Sequence, residues 1–355
     1  MSSMFGETVR LSLFGQSHGE MVGCVLDGLP AGEAVDEEAL RAFLRRRAPG
    51  GAYATPRKEA DTPRVVSGLY EGKTCGAPLC VLIENTNIRS QDYEAFKDLP
   101  RPGHADFPAQ VRHQGFQDIR GGGHFSARVT AALCAAGGIL LQLLARRGVA
   151  IGAHLLRVGD VQDDAIDPLN PSVGDLRKAQ SGFPTISEAA EERMKTLIDE
   201  VRGEKDSVGG VVECAILGLP VGLGEPMFGG IENTVAQAVF AIPAVKGIEF
   251  GEGFAAAAMR GSQHNDPYTW QDGEPKPRSN HAGGILGGLT DGAPVIFRAA
   301  FKPTPSIARP QQTVSLSGKR DAVLEIAGRH DPCVAVRAVP VVEAAAALAV
   351  AQFVF

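Results

Sequence analysis

The densest group of residues that could do chemistry lies between positions 101 and 132, in RPGHADFPAQVRHQGFQDIRGGGHFSARVTAA. Four arginines in this segment can each present a planar fork of donors to carboxylate or phosphate oxygens. Three histidines, whose ordinary pKa lies near neutrality, are suited to proton transfer. Gly121 to Gly123 precede a helix that we expect to begin at Ser126, so their N–H groups would lie at its positive end. The segment therefore predicts an anion-binding site that contains acid–base groups.

The histidines and the glycines each have a simpler interpretation. His104 and Asp106 could bind a metal, but no second pair of ligands stands at helical spacing from them, so we expect no metal site. The triple glycine could be a tight turn without a ligand, and the sequence of this turn leaves both interpretations open. The arginines favour the anion site, because an unpaired arginine is costly to bury.

Two segments nearer the C-terminus carry related chemistry. Residues 279–310 are rich in glycine and include KPTPS, where two prolines would hold Lys302 and two hydroxyl groups in a rigid turn. The segment AGRHDPC presents Arg329 and Asp331 together before a proline. With the first segment, these motifs predict a large cleft that binds more than one polyanion and contains acid and base groups.

The composition excludes several classes of protein. With 35 basic and 41 acidic residues, the 355-residue chain has a net charge of −6, which leaves no bulk positive charge for a nucleic-acid backbone. We expect no membrane span, because no apolar run approaches about 18 residues. The first residues lack the pattern of a signal peptide, so we expect a cytoplasmic protein. The six cysteines form no CxxC pair, which argues against zinc and disulfides, and the absence of GxxxxGK[ST] disfavours a P-loop phosphotransferase.

The spacing of apolar residues predicts strands and helices that alternate along the chain. Residues 8–15 alternate as a half-buried strand does. Helices are predicted at 37–47, 126–147, 186–203, about 232–241 and the C-terminus. This alternation is typical of β-α units joined by glycine-rich loops.

The chain contains one informative internal repeat. Residues 17–32 align without gaps to residues 207–222, and eight of the sixteen positions are identical. A predicted helix follows each copy, so we interpret the chain as two related halves. His18 of the first copy is replaced by Val208 in the second. Because a structural requirement would apply to both copies, the histidine in one of them favours a chemical role.

Ten motifs occur in an order that resembles the chorismate synthase family: FGQSHG, RRRAPG, SGLYEGKTCGAP, RSQDY, RPGHAD, RGGGHFSAR, GLGEP, SNHAGGILGG, KPTPSI and GRHDPC with RAVPVVEA. They span nearly the whole chain. The resemblance implies an α+β fold, a β-α-β sandwich formed by residues 1–355 as a single domain, with pseudo-repeated halves of about 1–190 and 191–355. It also implies a homotetramer.

The resemblance implies an activity as well. Members of the family convert 5-enolpyruvylshikimate 3-phosphate to chorismate and phosphate, a carbon–oxygen lyase reaction of the shikimate pathway that needs reduced FMN without net redox change. Some members reduce the FMN themselves with NADPH. Such a substrate carries one phosphate and two carboxylates, which would explain a cationic pocket in an acidic protein. A flavin-binding protein that has lost catalysis is the competing interpretation, which the presence of His18, His104 and Asp331 disfavours.

The resemblance assigns roles residue by residue. The positions that match the two active-site histidines and the acid near the flavin are His18, His104 and Asp331. The positions that match the arginines binding the substrate anions are Arg47, Arg101 and Arg128. The positions that match flavin contacts are His124, Phe125, Ser126, Gly287, Lys302, Pro303, Thr304, Pro305, Ser306 and Arg329.

The chain departs from the family pattern at several of these motifs. His124 and Phe125 stand where the family commonly has arginine and serine, and Pro243 stands where many members have a polar residue. Ala52 or Tyr53 falls where an arginine often occurs. We expect these changes to alter the affinity for flavin more than the reaction itself.

Overall fold

The computed structural model describes residues 3–49, 53, 59–87, 90–326 and 330–355. Its α-helices are α1 (Glu37–Arg47), α2 (Asp106–Arg112), α3 (Thr130–Ala145), α4 (Val173–Lys178), α5 (Glu188–Gly203), α6 (Ile231–Phe240), α7 (Gly261–His264) and α8 (Ala335–Val354). Its strands are β1 (Met4–Phe5), β2 (Arg10–Gly15), β3 (Met21–Asp27), β4 (Pro63–Ser67), β5 (Leu69–Tyr70), β6 (Lys73–Thr74), β7 (Leu79–Glu84), β8 (Ala150–Val158), β9 (Val161–Gln162), β10 (Gly210–Leu217), β11 (Val245–Phe250), β12 (Tyr268–Gln271), β13 (Glu274–Pro277), β14 (Ile285–Leu286), β15 (Leu289–Thr290), β16 (Val295–Phe301), β17 (Gln311–Ser315) and β18 (Arg320–Leu324).

Two antiparallel sheets form the outer layers of the fold. The first has the strand order β1-β2-β3-β7-β4 and the second has the order β11-β16-β10-β8-β9. In β3, at the centre of the first sheet, the alternate residues Val22, Cys24 and Leu26 are fully buried. This period of two places one face of the sheet against the core. The strand predicted at residues 8–15 is β2, directly beside β3.

The long apolar helices form the layer between the two sheets. Helix α3 packs on β3 and β7, α8 packs on β8 and β10, and the two helices pack on each other. Gly137 allows this approach, because a Cβ there would lie 2.3 Å from Cβ of Ala344. Residues Ala127–Ala145 and Ala335–Val354 are long and apolar enough to span a membrane, yet 83% and 78% of these stretches is buried inside the fold. Their hydrophobicity is therefore accounted for by the core, and the predicted β-α-β sandwich is confirmed.

Helix boundaries agree with the sequence in most places. The N-cap residue of α1 is Asp36, whose carboxylate accepts hydrogen bonds from the N–H groups of Glu38 and Ala39. The prediction that a helix begins at Ser126 was wrong in detail, because a short 3₁₀ turn, Ala127–Val129, comes first and α3 begins at Thr130. The division into halves near residue 190 stays a prediction.

A buried charged network crosses the second sheet. His154 on β8 lies opposite Glu213 on β10, which lies opposite Arg298 on β16. The ring nitrogens of His154 lie 3.1 Å from a carboxylate oxygen of Asp163 and 3.0 Å from one of Glu213. Burial opposes protonation of His154, but the hydrogen bonds to both carboxylates outweigh it and raise its pKa. The same contacts lower the pKa of Asp163 and of Glu213 against the effect of their burial.

Replacing His154 with glutamine is expected to lower the free energy of unfolding by about 3–5 kcal/mol, because the buried carboxylate of Asp163 loses its cation and that of Glu213 keeps only Arg298. A raised histidine pKa stabilises the fold fully below the unfolded value of about 6.5 and less as pH rises through the folded pKa. Lowered carboxyl pKa values stabilise it above about pH 4 and less as pH falls. The difference between wild type and variant should therefore be largest near pH 5.5.

Urea unfolding at several pH values measures this difference. His264→Gln, in the short surface helix α7, is the matched control and should change stability little at any pH. If His154→Gln lowers the free energy of unfolding by the same amount at pH 5.5 and pH 9, the charge on His154 does not contribute to stability.

Candidate active site

A cleft of about 710 Å³ lies where several segments meet. It is lined by the end of α1, residues 101–105 before α2, the glycine-rich turn, the start of β11 and residues from the segments 302–306 and 330–337. The sequence-predicted residues that line it are Arg47, Arg101, His104, His124, Phe125, Ser126, Arg128, Lys302, Thr304, Pro305, Ser306 and Asp331. Residues far apart in the chain are thus brought together, and the volume is within the usual range for a ligand site.

Three predicted residues in the described part of the chain are not among the cleft-lining residues. His18 is buried behind the glycine turn, with its ring centroid 5.0 Å from that of Tyr93. Pro303 packs toward Gly209, at the start of the second sheet's central strand β10. Gly287 lies in the turn between β14 and β15. Another predicted residue, Arg329, lies outside the described residues, as does Ala52.

Two of the predicted arginines share one buried carboxylate. Arg47 donates from Nε to Oδ2 of Asp61 at 3.1 Å, and Nη1 of Arg128 contacts the other oxygen of Asp61. The Asp61 side chain is fully buried, and each arginine side chain is 3% exposed. Burial lowers the pKa of Arg47 to about 10 despite the opposing charge of Asp61. Within this cluster, two buried guanidinium groups therefore share one carboxylate.

A second carboxylate holds Arg101 and His104. Asp106 accepts from Nε of Arg101 at 2.7 Å and from Nη2 at 2.8 Å, which is bidentate pairing. Its Oδ1 also lies 3.0 Å from Nδ1 of His104. Burial would raise the pKa of Asp106, but the hydrogen bonds from Arg101 and His104 hold it well below its ordinary value. Nδ1 of His104 also lies 3.2 Å from Nη2 of Arg101, so both contacts engage Nδ1 and Nε2 is the nitrogen left to exchange a proton.

A third ion pair, between Asp331 and Arg337, connects the segment that carries Asp331 to the end of α1. Nη1 of Arg337 lies 2.8 and 3.1 Å from the two oxygens of Asp331. Nε of Arg337 donates to the backbone oxygen of Arg47 at 3.0 Å. The loop that carries Asp331 is thereby fixed to the end of α1.

The triple glycine provides space for His18. All three glycines have positive φ, between 54° and 82°. A Cβ on Gly121 would lie 2.4 Å from the His18 ring, and one on Gly122 would lie 3.1 Å from Nε2 of His104. The turn is separated from α3 by residues 124–129, so it does not lie at the N-terminus of that helix as we had expected. Its glycines instead let two histidines approach the backbone closely.

The two unusual residues after the glycines differ in their surroundings. Nδ1 of His124 lies 3.2 Å from the backbone oxygen of Gly15, and Nε2 lies 3.0 Å from Oγ of Ser3. Both ring nitrogens are thus used within the protein. Phe125 is 43% exposed, with its ring centroid 6.1 Å from that of His113. The altered flavin affinity expected from these residues stays a prediction.

Sequence reasoning gave no role in the site to several residues that support it, although Asp106 and His330 lie within the motifs that it singled out. Asp61, Asp106 and Arg337 orient the predicted residues, and Lys246 and His330 line the cleft beside them. Burial lowers the pKa of His330 to about 4, helped by the charge of Arg101, so its imidazole is neutral at physiological pH. A requirement that every buried arginine has a carboxylate partner could have signalled the acids, but it could not have named them.

The cleft suits a ligand with several polar groups, such as a flavin. Thr304 Oγ1 and His330 Nε2 are buried and have no hydrogen-bond partner within the described part of the chain. A buried polar atom without a partner costs free energy, which a polar ligand can recover. Lys302 and Lys246 add positive charge along the same wall. These residues fit the phosphate and polar groups of a flavin mononucleotide.

Comparison with known proteins decides the family. A family model described as chorismate synthase matches residues 9–355. The chain belongs to the chorismate synthase family.

Curated chorismate synthases resemble the chain over almost their whole length. The protein of Lancefieldella parvula is 45% identical, covering 98% of this chain and 95% of the relative. The chorismate synthase of Aeropyrum pernix is 46% identical, covering 98% and 91% respectively. A crystal structure of chorismate synthase superimposes with a TM-score of 0.78 at 29% identity, covering 98% of this chain and 92% of the other.

Family membership confirms the activity expected from the sequence. Chorismate synthases are carbon–oxygen lyases that eliminate phosphate from 5-enolpyruvylshikimate 3-phosphate to form chorismate, in aromatic amino acid biosynthesis, and this is the activity of the chain. The family requires reduced flavin.

Proposed function

We propose that the cleft binds 5-enolpyruvylshikimate 3-phosphate beside reduced FMN and that His18, His104 and Asp331 serve the proton transfers. The main support is the charge at the cleft floor, where Arg47 and Arg128 share a single carboxylate. The two guanidinium groups share the single carboxylate of Asp61, and an anionic ligand would compensate the excess positive charge that these three residues bury.

The arginines would position the substrate and stabilise the leaving group. Arg47 and Arg128 are held by Asp61, and Arg101 is held by Asp106, so none needs to reorganise when an anion binds. Preorganised donors of this kind lower the barrier by stabilising charge as it develops on the departing phosphate. They also hold the substrate ring in one orientation, which reduces the entropy lost on reaching the transition state.

The acid–base groups would occupy different sides of the ligands. Nδ1 of His104 is engaged by Asp106 and Arg101, which leaves Nε2, beside Gly122, for proton exchange. Asp331 is oriented by Arg337 and would take part in removing the ring hydrogen. His18, behind Gly121, would serve the substrate side, since no side chain on this glycine separates the two.

The flavin would be held by Lys302, Pro303, Thr304, Pro305 and Ser306, with His124, Phe125 and Ser126 on the facing turn. Gly287 and Arg329 complete the proposed contacts. Reduced FMN supplies an electron-rich partner for breaking an unactivated C–H bond, which no protein side chain offers. The protein contributes binding, orientation and charge.

Three broader expectations belong to the same proposal. NADPH would serve as the reductant of the flavin in the cell if this chain resembles the members that carry out that step. The subunits would assemble as a homotetramer. The enzyme would act in the cytoplasm on a small-molecule substrate.

An anaerobic assay tests the proposal directly. Purified protein is mixed with chemically reduced FMN and 5-enolpyruvylshikimate 3-phosphate, and chorismate absorbance and phosphate release are followed in parallel. We expect both products in equal amounts, and none in the absence of reduced flavin. Tight binding of flavin without either product would support the flavin-binding module instead.

A further inference from the structure

Lys246 occupies an irregular position at the start of β11. Val245 pairs with Phe301 and Gly247 pairs with Ala300, so Lys246 is the extra residue of a β-bulge. The preceding residue, Ala244, has a φ of 76°, in the left-handed region that alanine rarely adopts. Bulges redirect a side chain, and strained backbone is concentrated at functional sites. The backbone here is distorted in a way that places one lysine at the cleft.

Lys246 lies beside another cation. It lines the cleft with Lys302, whose backbone N–H donates to the oxygen of Ala244 at 2.9 Å. Burial and the charge of Lys246 both lower the pKa of Lys302. Lys246 forms no ion pair with any acidic residue that the structure describes. Two neighbouring cations repel each other unless an anion lies between them.

The surroundings of the two lysines fit a phosphate. Nζ of Lys302 donates to the backbone oxygen of Gly103, so the amine is already oriented. The hydroxyl of Thr304, two residues on, is buried without a partner within the described residues. Two ammonium groups and one hydroxyl match the charge and the acceptor oxygens of a phosphomonoester dianion.

We propose that Lys246, together with Lys302, binds the 5′-phosphate of the flavin. This rests on the proposed function, which places reduced FMN in the cleft. The proposed partners of the substrate anions are Arg47, Arg101 and Arg128, which are buried at the floor of the cleft. Lys246, by contrast, is exposed and lines the same cleft. Lys246 thus selects the mononucleotide over riboflavin.

Titration of the protein with FMN and with riboflavin, followed by quenching of flavin fluorescence, tests this assignment. The oxidised flavins suffice, because the phosphate is the same in both redox states. Lys246→Gln is expected to weaken FMN binding by about 10-fold, the size of one charge-assisted contact, and to leave riboflavin binding unchanged. The loss should shrink as salt is raised, because the contact is exposed. Lys319→Gln, in the turn after β17, is the matched control and should change neither affinity.

The outcomes separate the inference from the proposed function. Equal loss of FMN and riboflavin binding in Lys246→Gln, or no loss of either, would overturn the phosphate contact. Unchanged flavin affinities with a raised KM for 5-enolpyruvylshikimate 3-phosphate would assign Lys246 to the substrate phosphate and also overturn it. If the wild-type protein binds neither flavin, the placement of FMN in the cleft itself fails.

Discussion

Replacing His104 with alanine is expected to lower kcat by about 100-fold to 10,000-fold, the contribution of a positioned general acid or base. Nδ1 of His104 lies 3.0 Å from Oδ1 of Asp106 and 3.2 Å from Nη2 of Arg101, which leaves Nε2 as the ring nitrogen available to exchange a proton. The KM for substrate should change little, because Asp106 keeps its bidentate contact with Arg101. Anaerobic chorismate formation with saturating reduced FMN measures both constants.

The neighbouring histidine offers a control for this variant. His113 lies at the end of α2, and it is not among the residues that line the cleft. His113→Ala should retain the wild-type kcat. A His104→Ala enzyme whose kcat stays within a factor of three of wild type, with an unchanged dependence on pH, would remove His104 from the proton transfers.

The sequence identified the side chains proposed to bind ligands better than the carboxylates that orient those side chains. Arginines and histidines in glycine-rich segments stand out because burying a charged side chain costs free energy unless a partner or a ligand compensates the charge. The carboxylates that orient them, Asp61 and Asp106, look like any surface acid in the sequence. Asp61 lies 14 residues from Arg47 and 67 residues from Arg128. Such a pairing depends on tertiary packing, which local patterns do not contain.

The triple glycine lies at the cleft, but for a different structural reason from the one that the sequence suggested. The sequence placed it within the predicted anion site, and Gly121 does line the cleft. Its expected function was an anion cradle at a helix N-terminus, but α3 begins at Thr130. The glycines make room for the rings of His18 and His104. Close approach between distant segments and exposure of N–H groups both require glycine, so the motif alone cannot distinguish them.

Element types were easier to predict than sheet order. Period-two alternation in β2 and the capped amphipathic pattern of α1 are local signals, and both elements formed where predicted. The order β1-β2-β3-β7-β4 requires β7 to insert beside β3 after more than 50 residues of intervening chain. Strand pairing at that distance is set by the burial of whole faces against α3, which no short window records.

Replacing Asp61 with asparagine is expected to lower kcat/KM by at least about 100-fold. Nη2 of Arg47 lies 2.9 Å from Oδ2 of Asp61, and Nη1 of Arg128 contacts Oδ1. Asparagine puts a neutral amide between these buried arginines, so their mutual repulsion is no longer compensated. Removing one partner of a buried ion pair costs about 3–5 kcal/mol, which corresponds to more than 100-fold in an equilibrium constant. Steady-state kinetics under anaerobic conditions measure the loss, and circular dichroism and thermal unfolding establish whether the variant is folded.

Loss of stability alone could also lower activity, so a second buried carboxylate serves as the comparison. Glu213 is fully buried, pairs with His154 and Arg298 in the second sheet, and does not line the cleft. Glu213→Gln should therefore destabilise the fold to a similar degree while a folded sample keeps the wild-type kcat/KM. If Asp61 acts only through stability, the two folded variants will have the same activity. If it orients the arginines, Asp61→Asn will remain defective at temperatures where both are fully folded, and its loss will appear mainly as a raised KM for the anionic substrate.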